Sequence, residues 1–319
     1  MQVALRRKMR DASTRRHGDT ENELAMDAAG SGYDGPLTLR ESGQLAVPVI
    51  GLALLVSGCK PPEQPAVLSI VGAVLIDGTG GPPISDSVVT IENGRIRAVG
   101  ARASLLVPPE AEKIDGAGKF VTAAPINVLH RGAGAGGPGY TVVRPGDPNS
   151  VLDQARRDRT PLFGDIFSLR DARTMVDRGV TGFLHMIRDT EAIDPAFIAR
   201  LRDLRIEFVP MLAEERDPAR LAIAKRNTKL LADGGVLIAV GSTGDMQREM
   251  DLLVEATLSP ADVLVAATRN GATALHEIDQ AGTIEPGKRA DLLVLSANPA
   301  EDVRNLQKID RTMRDGQWR

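Results

Sequence analysis

Side chains that perform chemistry are few in this chain of 319 residues, which has one cysteine and four histidines. The single cysteine, Cys59, excludes an internal disulfide and a zinc site built on several cysteines. Asp165 and His185 stand out because each lies near the end of a strand-like run, at residues 163–167 and 180–186. On residue type alone, an acid at a strand end is usually solvated and a lone histidine in a strand is usually structural. The sequence has no serine-nucleophile elbow, phosphate-binding loop or dinucleotide fingerprint that would indicate another enzyme class.

The runs that carry these two residues belong to a repeated pattern of strands and helices. Two further runs follow at residues 206–212 and 236–242, so that strands begin at intervals of 26 and 30 residues. The helices have clear start signals, because Ser or Asp precedes each one and proline often takes its first position. These capping residues are Ser168, Asp194, Asp217 and Ser259. The pattern predicts βα units and a parallel sheet, which presents its chemistry at the carboxyl ends of the strands.

A second structural unit is predicted from the two ends of the chain. Residues 285–288 (EPGK) combine Pro and Gly as a type II turn requires, and residues 291–295 (DLLVL) are typical of a strand covered on both faces. Asn93-Gly94 is a strong hairpin signal. The partner strands are predicted at residues 67–74, 88–91 and 96–99. We therefore expect a small all-β unit assembled from both ends of the chain.

The composition argues against one class of partner. The chain has 42 acidic and 39 basic residues, which gives a net charge of −3, and aromatic residues make up 3%. Proteins that bind nucleic acids usually present an excess of positive charge or aromatic surfaces on which bases stack. We therefore expect no nucleic-acid partner.

The amino-terminal segment has the pattern of an export signal. Residues 1–44 are polar without an apolar period, which predicts disorder, and residues 45–56 are an apolar run too short to span a bilayer but suited to a signal peptide. Residues 56–59 (VSGC) resemble a bacterial lipoprotein lipobox, which implies cleavage before Cys59 and acylation of its thiol. The alternative is a buried apolar helix with an inert cysteine. The resemblance implies a lipid-anchored protein on the periplasmic side of the bacterial cell envelope.

Several segments of the chain resemble the amidohydrolase superfamily. They are residues 74–81, 91–96, 268–272 and 282–292, followed by Asn298-Pro299 and Glu301-Asp302. The resemblance covers most of residues 67–319 and is to imidazolonepropionase-like and Xaa-Pro-dipeptidase-like enzymes. It implies a TIM-like (β/α) barrel beside a β-sandwich. It also implies one or two divalent metals (Zn, Mn or Fe) that activate water for hydrolysis of a carbon–nitrogen bond in an amide or dipeptide.

Three positions that the resemblance assigns to metal ligands hold other residues. The two histidines of the first strand fall on Leu129 and Arg131, and the aspartate position after the eighth strand holds Thr243. Leucine cannot bind a metal, and the positive charge of a guanidinium repels one. The family's metal centre is therefore predicted to be eroded.

The remaining candidates are also implied by the resemblance. His130 lies between the two lost histidine positions, Asp165 takes the fifth-strand position, and His185 keeps the sixth-strand position. These three are the candidate metal ligands. Asp245, displaced by two residues from the family's aspartate, is the candidate catalytic carboxylate that would exchange a proton with water and the leaving nitrogen.

Chain length points to an incomplete barrel. Positions 129 and 165 are 36 residues apart, where the family places three further βα units, and the glycine run at 132–139 reads as a linker. The predicted fold is α/β, an incomplete TIM-like barrel plus a small β-sandwich, with open sheet edges that would allow homo-oligomers. The predicted segments are a disordered extension (1–44), the signal h-region, lipobox and linker (45–65), the β-sandwich domain (66–122 and 281–319) and the truncated barrel (123–280).

Two functions follow from this sequence. In the first, the chain hydrolyses a carbon–nitrogen bond of a small-molecule amide or dipeptide with an improvised metal site. In the second, it is a non-catalytic pseudoenzyme that acts as a binding or scaffold module on the membrane surface. The loss of ligand positions together with the shortened barrel favours the second function.

Overall fold

A computed structural model describes residues 67–129 and 139–319. These residues belong to one compact unit, Lys60–Arg319. The predicted amino-terminal extension, signal segment and linker lie outside the described residues, as do Cys59, His130, Arg131 and most of the glycine run. No helix among the described residues is long and apolar enough to cross a membrane.

Strands come first and last in the described chain, and helices alternate with strands between them. The strands are β1 (Val67–Ile76), β2 (Ile84–Glu92), β3 (Arg95–Ala101), β4 (Glu112–Asp115), β5 (Phe120–Ala123), β6 (Thr141–Val143), β7 (Leu162–Asp165), β8 (Gly182–Leu184), β9 (Glu207–Val209), β10 (Leu237–Ile238), β11 (Leu292–Leu295), β12 (Ile309–Arg314) and β13 (Gln317–Trp318). The helices are α1 (Asn149–Asp158), α2 (Leu169–Asp177), α3 (Pro195–Asp203), α4 (Pro218–Asp233), α5 (Met246–Glu255), α6 (Pro260–Val265) and α7 (Gly271–Ala274). A π-helical turn at Ala266–Asn270 joins α6 to α7, and short 3₁₀ helices lie at Leu212–Glu214 and Val303–Gln307.

One sheet of eight strands contains both ends of the described chain. Its order is β13-β12-β11-β5-β1-β2-β3, with β4 also paired to β1. The two ends meet where β5 runs parallel to β1 on one side and antiparallel to β11 on the other. The predicted β unit built from both ends is therefore confirmed, as one hydrogen-bonded sheet.

The two predicted turns of this sheet are also confirmed. Asn93 and Gly94 have φ of 49° and 78°, as a type I′ hairpin turn requires between β2 and β3. In the second turn the Lys288 N–H donates to the Glu285 carbonyl at 3.2 Å, and Gly287 has φ of 89°. Because Ile96 exchanges backbone hydrogen bonds with Gly287 and Lys288, this turn is fastened to β3.

The second sheet has five parallel strands in the order β10-β9-β8-β7-β6. Phe183 and Phe208 lie on the face that packs under the helices, and Phe163, Leu184 and Val209 lie on the opposite face. The mixed α/β architecture is as predicted. No closed barrel forms within residues 67–129 and 139–319, and the predicted truncation of the barrel stays a prediction.

One edge of the five-stranded sheet is covered by the segment that follows β5. The Val128 N–H donates to the Val240 carbonyl at 3.1 Å, just beyond β10. The Asn127 side chain donates to the Ser242 carbonyl at 2.8 Å and accepts from the Ser242 N–H at 3.1 Å. The β10 edge is therefore occupied, and β6 is the edge strand with no paired neighbour beyond it in the described chain.

The predicted helix caps are present. Asp194 and Asp217 each accept a hydrogen bond from the first turn of the helix that follows, and Pro stands at the start of both helices. Ser259 accepts from the Asp262 N–H. Ser168 and Asp171 form a reciprocal capping box at the start of α2.

We predict that Ser168→Ala lowers the free energy of unfolding by about 1 kcal/mol, because the Asp171 N–H loses its acceptor. Ser168→Asn is the control, since asparagine caps about as well as serine. Chemical denaturation of the three proteins measures the difference. Equal stability of Ser168→Ala and the parent chain would contradict the cap.

Candidate functional site

Polar side chains meet at the carboxyl ends of β7, β8 and β9. Asp165 is the last residue of β7, His185 directly follows β8, and Glu214 ends the 3₁₀ helix that follows β9. Arg144, just after β6, and Thr243, after β10, complete the group. We call these five residues the carboxyl-edge cluster.

His185 holds the centre of this cluster between two carboxylates. Its Nδ1 lies 3.0 Å from Asp165 Oδ1, and its Nε2 lies 3.8 Å from Glu214 Oε2. The second oxygen of Asp165 lies 3.3 Å from Arg144 Nε. The histidine and both acids are about one quarter exposed, so these interactions are partly shielded from water.

The backbone at His185 is fixed in an uncommon conformation. Its φ is 65°, in the left-handed region that non-glycine residues rarely adopt. The His185 N–H donates to the Val209 carbonyl of β9 at 3.0 Å, which holds the ring above the strand ends. Strain of this kind, of order 1–3 kcal/mol, persists only where surrounding contacts impose it.

Glu214 is held from two further directions. Its Oε1 accepts hydrogen bonds from the Thr243 N–H at 3.1 Å and the Thr243 hydroxyl at 2.8 Å. Thr243 stands at the position where the family resemblance implies a metal-binding aspartate. Here it anchors the carboxylate of Glu214 instead.

A buried acid supports the turn that carries Glu214. Glu249 of α5 is fully buried and accepts hydrogen bonds from the Leu212 N–H at 2.9 Å and the Ala213 N–H at 2.7 Å. Burial raises the pKa of Glu249 to about 7, the two N–H donors oppose that rise, and the charge of Glu214 adds to it. Glu249 thus acts on the cluster by positioning its turn.

The structure brings together two of the predicted site residues, Asp165 and His185. Asp245 is exposed and caps α5, with its Oδ1 accepting from the Gln247 N–H at 2.8 Å, and it forms no hydrogen bond or ion pair with the described members of the cluster. Leu129 packs with the apolar residues on the inner face of the five-stranded sheet. His130 and Arg131 lie outside the described residues.

The described donor atoms do not fit the family's metal centre. No group of three or more His, Cys, Asp or Glu residues is arranged to hold a metal ion within the described ranges. The two atoms that face each other, His185 Nε2 and Glu214 Oε2, are a pair where a zinc site uses three or four protein ligands. The guanidinium of Arg144 beside Asp165 adds a positive charge where a second cation would be repelled.

One small cavity formed by described residues lies beside the cluster. His185 and Glu214 border a cavity of about 50 Å³ together with Arg188, Pro210 and Glu215. The Arg188 side chain pairs with Glu215 at 2.9 Å across this space. A cavity of this size holds one or two water molecules.

Sequence reasoning missed Arg144, Glu214 and Glu249. Glu214 could have been found, because it follows a predicted strand as Asp165 and His185 do and parallel strands end at one edge. Arg144 follows β6, a strand of three residues that is too short to give a clear hydrophobic pattern. Glu249 gave no signal, since an acid inside an amphipathic helix usually faces water.

The carboxyl-terminal half of the chain matches a known protein family. A family model described as "Amidohydrolase family" matches residues 154–319, which is more than half of the chain. These residues contain β7 to β13, and therefore Asp165, His185 and Glu214. No curated protein matches the chain.

Solved structures of several hydrolases share the fold. A Xaa-Pro dipeptidase with bound methionine superposes with a TM-score of 0.65 at 14% identity, covering 79% of this chain and 99% of that one. Molinate hydrolase gives 0.62 at 16% identity, with coverage of 79% and 94%. An amidohydrolase from Thermotoga maritima MSB8 gives 0.60 at 18% identity, with coverage of 79% and 99%. At these identities the likeness establishes the fold.

Proposed function

This chain belongs to the amidohydrolase family, and from that premise we propose that it is a member whose metal-dependent hydrolysis of carbon–nitrogen bonds has been lost. In this proposal the protein is a pseudoenzyme that keeps the family scaffold as a binding or scaffold module. The observation that carries the proposal is the arrangement of the carboxyl-edge cluster, in which Asp165 contacts both His185 and Arg144, and Glu214 accepts hydrogen bonds from Thr243.

Two physical features support this reading. Both oxygens of Asp165 already face cationic or hydrogen-bonding partners, His185 Nδ1 and Arg144 Nε, and Asp165 would lose those partners if it bound a metal. Leu129 and Thr243 stand at positions where the family resemblance implies ligands, and neither supplies a carboxylate or imidazole. The family's divalent Zn, Mn or Fe therefore has no complete set of ligands among the described residues.

The test is hydrolysis of Xaa-Pro dipeptides and N-acyl amino acids, with and without added Zn²⁺ or Mn²⁺. We expect no metal-stimulated hydrolysis by the parent chain and no change in His185→Ala. Asp245→Asn serves as the second variant, because asparagine keeps the cap of α5 while removing the charge. Hydrolysis that depends on added metal and disappears in His185→Ala would refute the proposal.

A second candidate function is residual hydrolysis of a small amide or dipeptide. One observation favours it: Asp165 faces Nδ1 of His185, which leaves Nε2 as the nitrogen that can accept a proton from water. Under this alternative, Asp165→Asn and His185→Ala both abolish a hydrolysis that needs no added metal. The same assay therefore distinguishes the two functions.

We also propose that the mature chain is lipid-anchored through Cys59 at the periplasmic face of a bacterial envelope. The support is the lipobox-like sequence at residues 56–59 after the apolar run. We predict that the chain, expressed in a bacterium with labelled palmitate, incorporates the label and fractionates with membranes. Cys59→Ser should abolish both, and labelling that persists in this variant would contradict the anchor.

A further inference from the structure

A cavity lies at the amino-terminal edge of the five-stranded sheet, the edge away from the carboxyl-edge cluster. Its volume is about 470 Å³, within the range of small-molecule sites. The segments that precede β8, β9 and β10 line it, together with the end of α7. It is formed entirely by described residues.

Glu207 lines this cavity, and its side chain forms no hydrogen bond or ion pair within the described part of the chain. It is the first residue of β9 and only 5% exposed, and its Oε2 is buried without a hydrogen-bond partner among the described residues. Burial raises the pKa of Glu207 to about 8. A buried carboxyl group without a partner is costly, and a ligand that supplies a donor removes that cost.

Basic side chains also line the same cavity. Arg202 and Arg205 line it, and the exposed His276 contributes an imidazole. Arg202 is held by Asp203 at 2.9 Å, whereas the side chain of Arg205 forms no hydrogen bond or ion pair with any described residue. The walls between these groups are apolar and include Leu204 and Leu237.

We propose that this cavity binds a small zwitterion, with its ammonium group at Glu207 and its carboxylate at Arg205. A cation alone would gain from Glu207 but be repelled by the unpaired guanidinium of Arg205, and an anion alone would leave Glu207 unpaired. A molecule that carries both charges satisfies both groups. Free amino acids and short ω-amino acids are ligands of this class. The assignment is independent of the fate of the carboxyl-edge cluster, because it uses none of those residues.

Titration calorimetry of the full chain with glycine, 4-aminobutanoate and 6-aminohexanoate tests the proposal. Butylamine and butanoate are the single-charge controls. We expect at least one zwitterion to bind, and both controls to bind at least about tenfold more weakly, since a charge-assisted hydrogen bond is lost with each. No binding by any zwitterion, or equal binding of butylamine or butanoate, would overturn the proposal.

Two variants locate the binding. Glu207→Gln and Arg205→Gln should each weaken binding of the zwitterion by about tenfold or more. Glu112→Gln and Arg200→Gln, at exposed positions outside the cavity, should leave the affinity unchanged.

Binding of the ammonium group at pH 7 should also release up to roughly one proton from Glu207, and Glu207→Gln should remove that release. Calorimetry in buffers of different ionisation enthalpy measures the proton release. Unchanged affinity or unchanged proton release in Glu207→Gln would contradict the site.

Discussion

Glu207→Gln should remove most of the loss of stability that the parent chain shows between pH 5 and pH 8. In the parent, the free energy of unfolding is expected to fall by roughly 3–4 kcal/mol over this interval through Glu207 alone, at about 1.4 kcal/mol per unit of pKa difference. The glutamine variant keeps the shape and hydrogen-bonding capacity of a protonated carboxyl but cannot ionise. Urea denaturation at a series of pH values measures the effect.

The direction follows from the two pKa values of this group. The folded-state pKa of about 8 lies above the ordinary value of 4.5, so the folded protein holds a proton that the unfolded chain has released. The contribution of Glu207 to the free energy of unfolding is fully present below about pH 4.5 and is lost as the pH rises through 8. Glu249, whose pKa is raised to about 7, acts in the same direction and should leave a smaller slope in the variant.

Groups with lowered pKa act outside this interval. The pKa of Glu255 is lowered chiefly by its hydrogen bond with Lys225, and that of Glu285 by its hydrogen bond with Lys288. Their contributions are present above the ordinary pKa and are lost on acidification. Glu112→Gln, on the exposed surface of β4, is the matched control. A slope in Glu207→Gln as steep as in this control would contradict the buried placement of Glu207.

Phe208→Ala should lower the free energy of unfolding by about 3–5 kcal/mol, the range for removing a buried phenylalanine. Phe208 is fully buried in the centre of β9, and its ring lies 4.9 Å from that of Phe183 on β8. These rings fill the space between the short parallel sheet and its helices. The variant therefore measures whether a sheet of five strands forms a packed core.

Phe167→Ala is the control for this prediction. Phe167 is 39% exposed and contacts the guanidinium groups of Arg188 and Arg220. Its loss should cost about 1 kcal/mol or less. Chemical denaturation of both variants gives the comparison, and equal losses would contradict the packing of β8 against β9.

Much of the local structure followed from the sequence. The Asn93-Gly94 turn needs positive φ at both residues. Few residue types adopt positive φ readily, so the hairpin could be predicted from these two residues. The helix starts could be predicted from Ser168, Asp194 and Asp217. A side-chain oxygen at the N-cap accepts hydrogen bonds from N–H groups that the first turn of a helix leaves unpaired. Strand locations were also predictable, although residues 180–186 gave only Gly182–Leu184 because a parallel ladder ends where its neighbours end.

The features that decide function were less predictable, because they depend on contacts between distant segments. Glu207 has the sequence context of an ordinary acid at the start of a strand, and its burial depends on tertiary packing between segments that are distant in the sequence. The pairing of His185 with Asp165 depends on the register between β7 and β8, which the sequence does not show. The cover over β10 depends on hydrogen bonds between Asn127 and Ser242, which are 115 residues apart.

The most direct test of the central claim, that the carboxyl-edge cluster no longer serves as a metal centre, is the metal content of the folded chain. The protein would be exposed to Zn²⁺, Mn²⁺ and Fe²⁺, freed of excess ions by gel filtration and analysed by plasma mass spectrometry. We predict well below one equivalent of any of these metals per chain, with no difference between the parent and His185→Ala. One or more equivalents in the parent, lost in His185→Ala, would contradict the account.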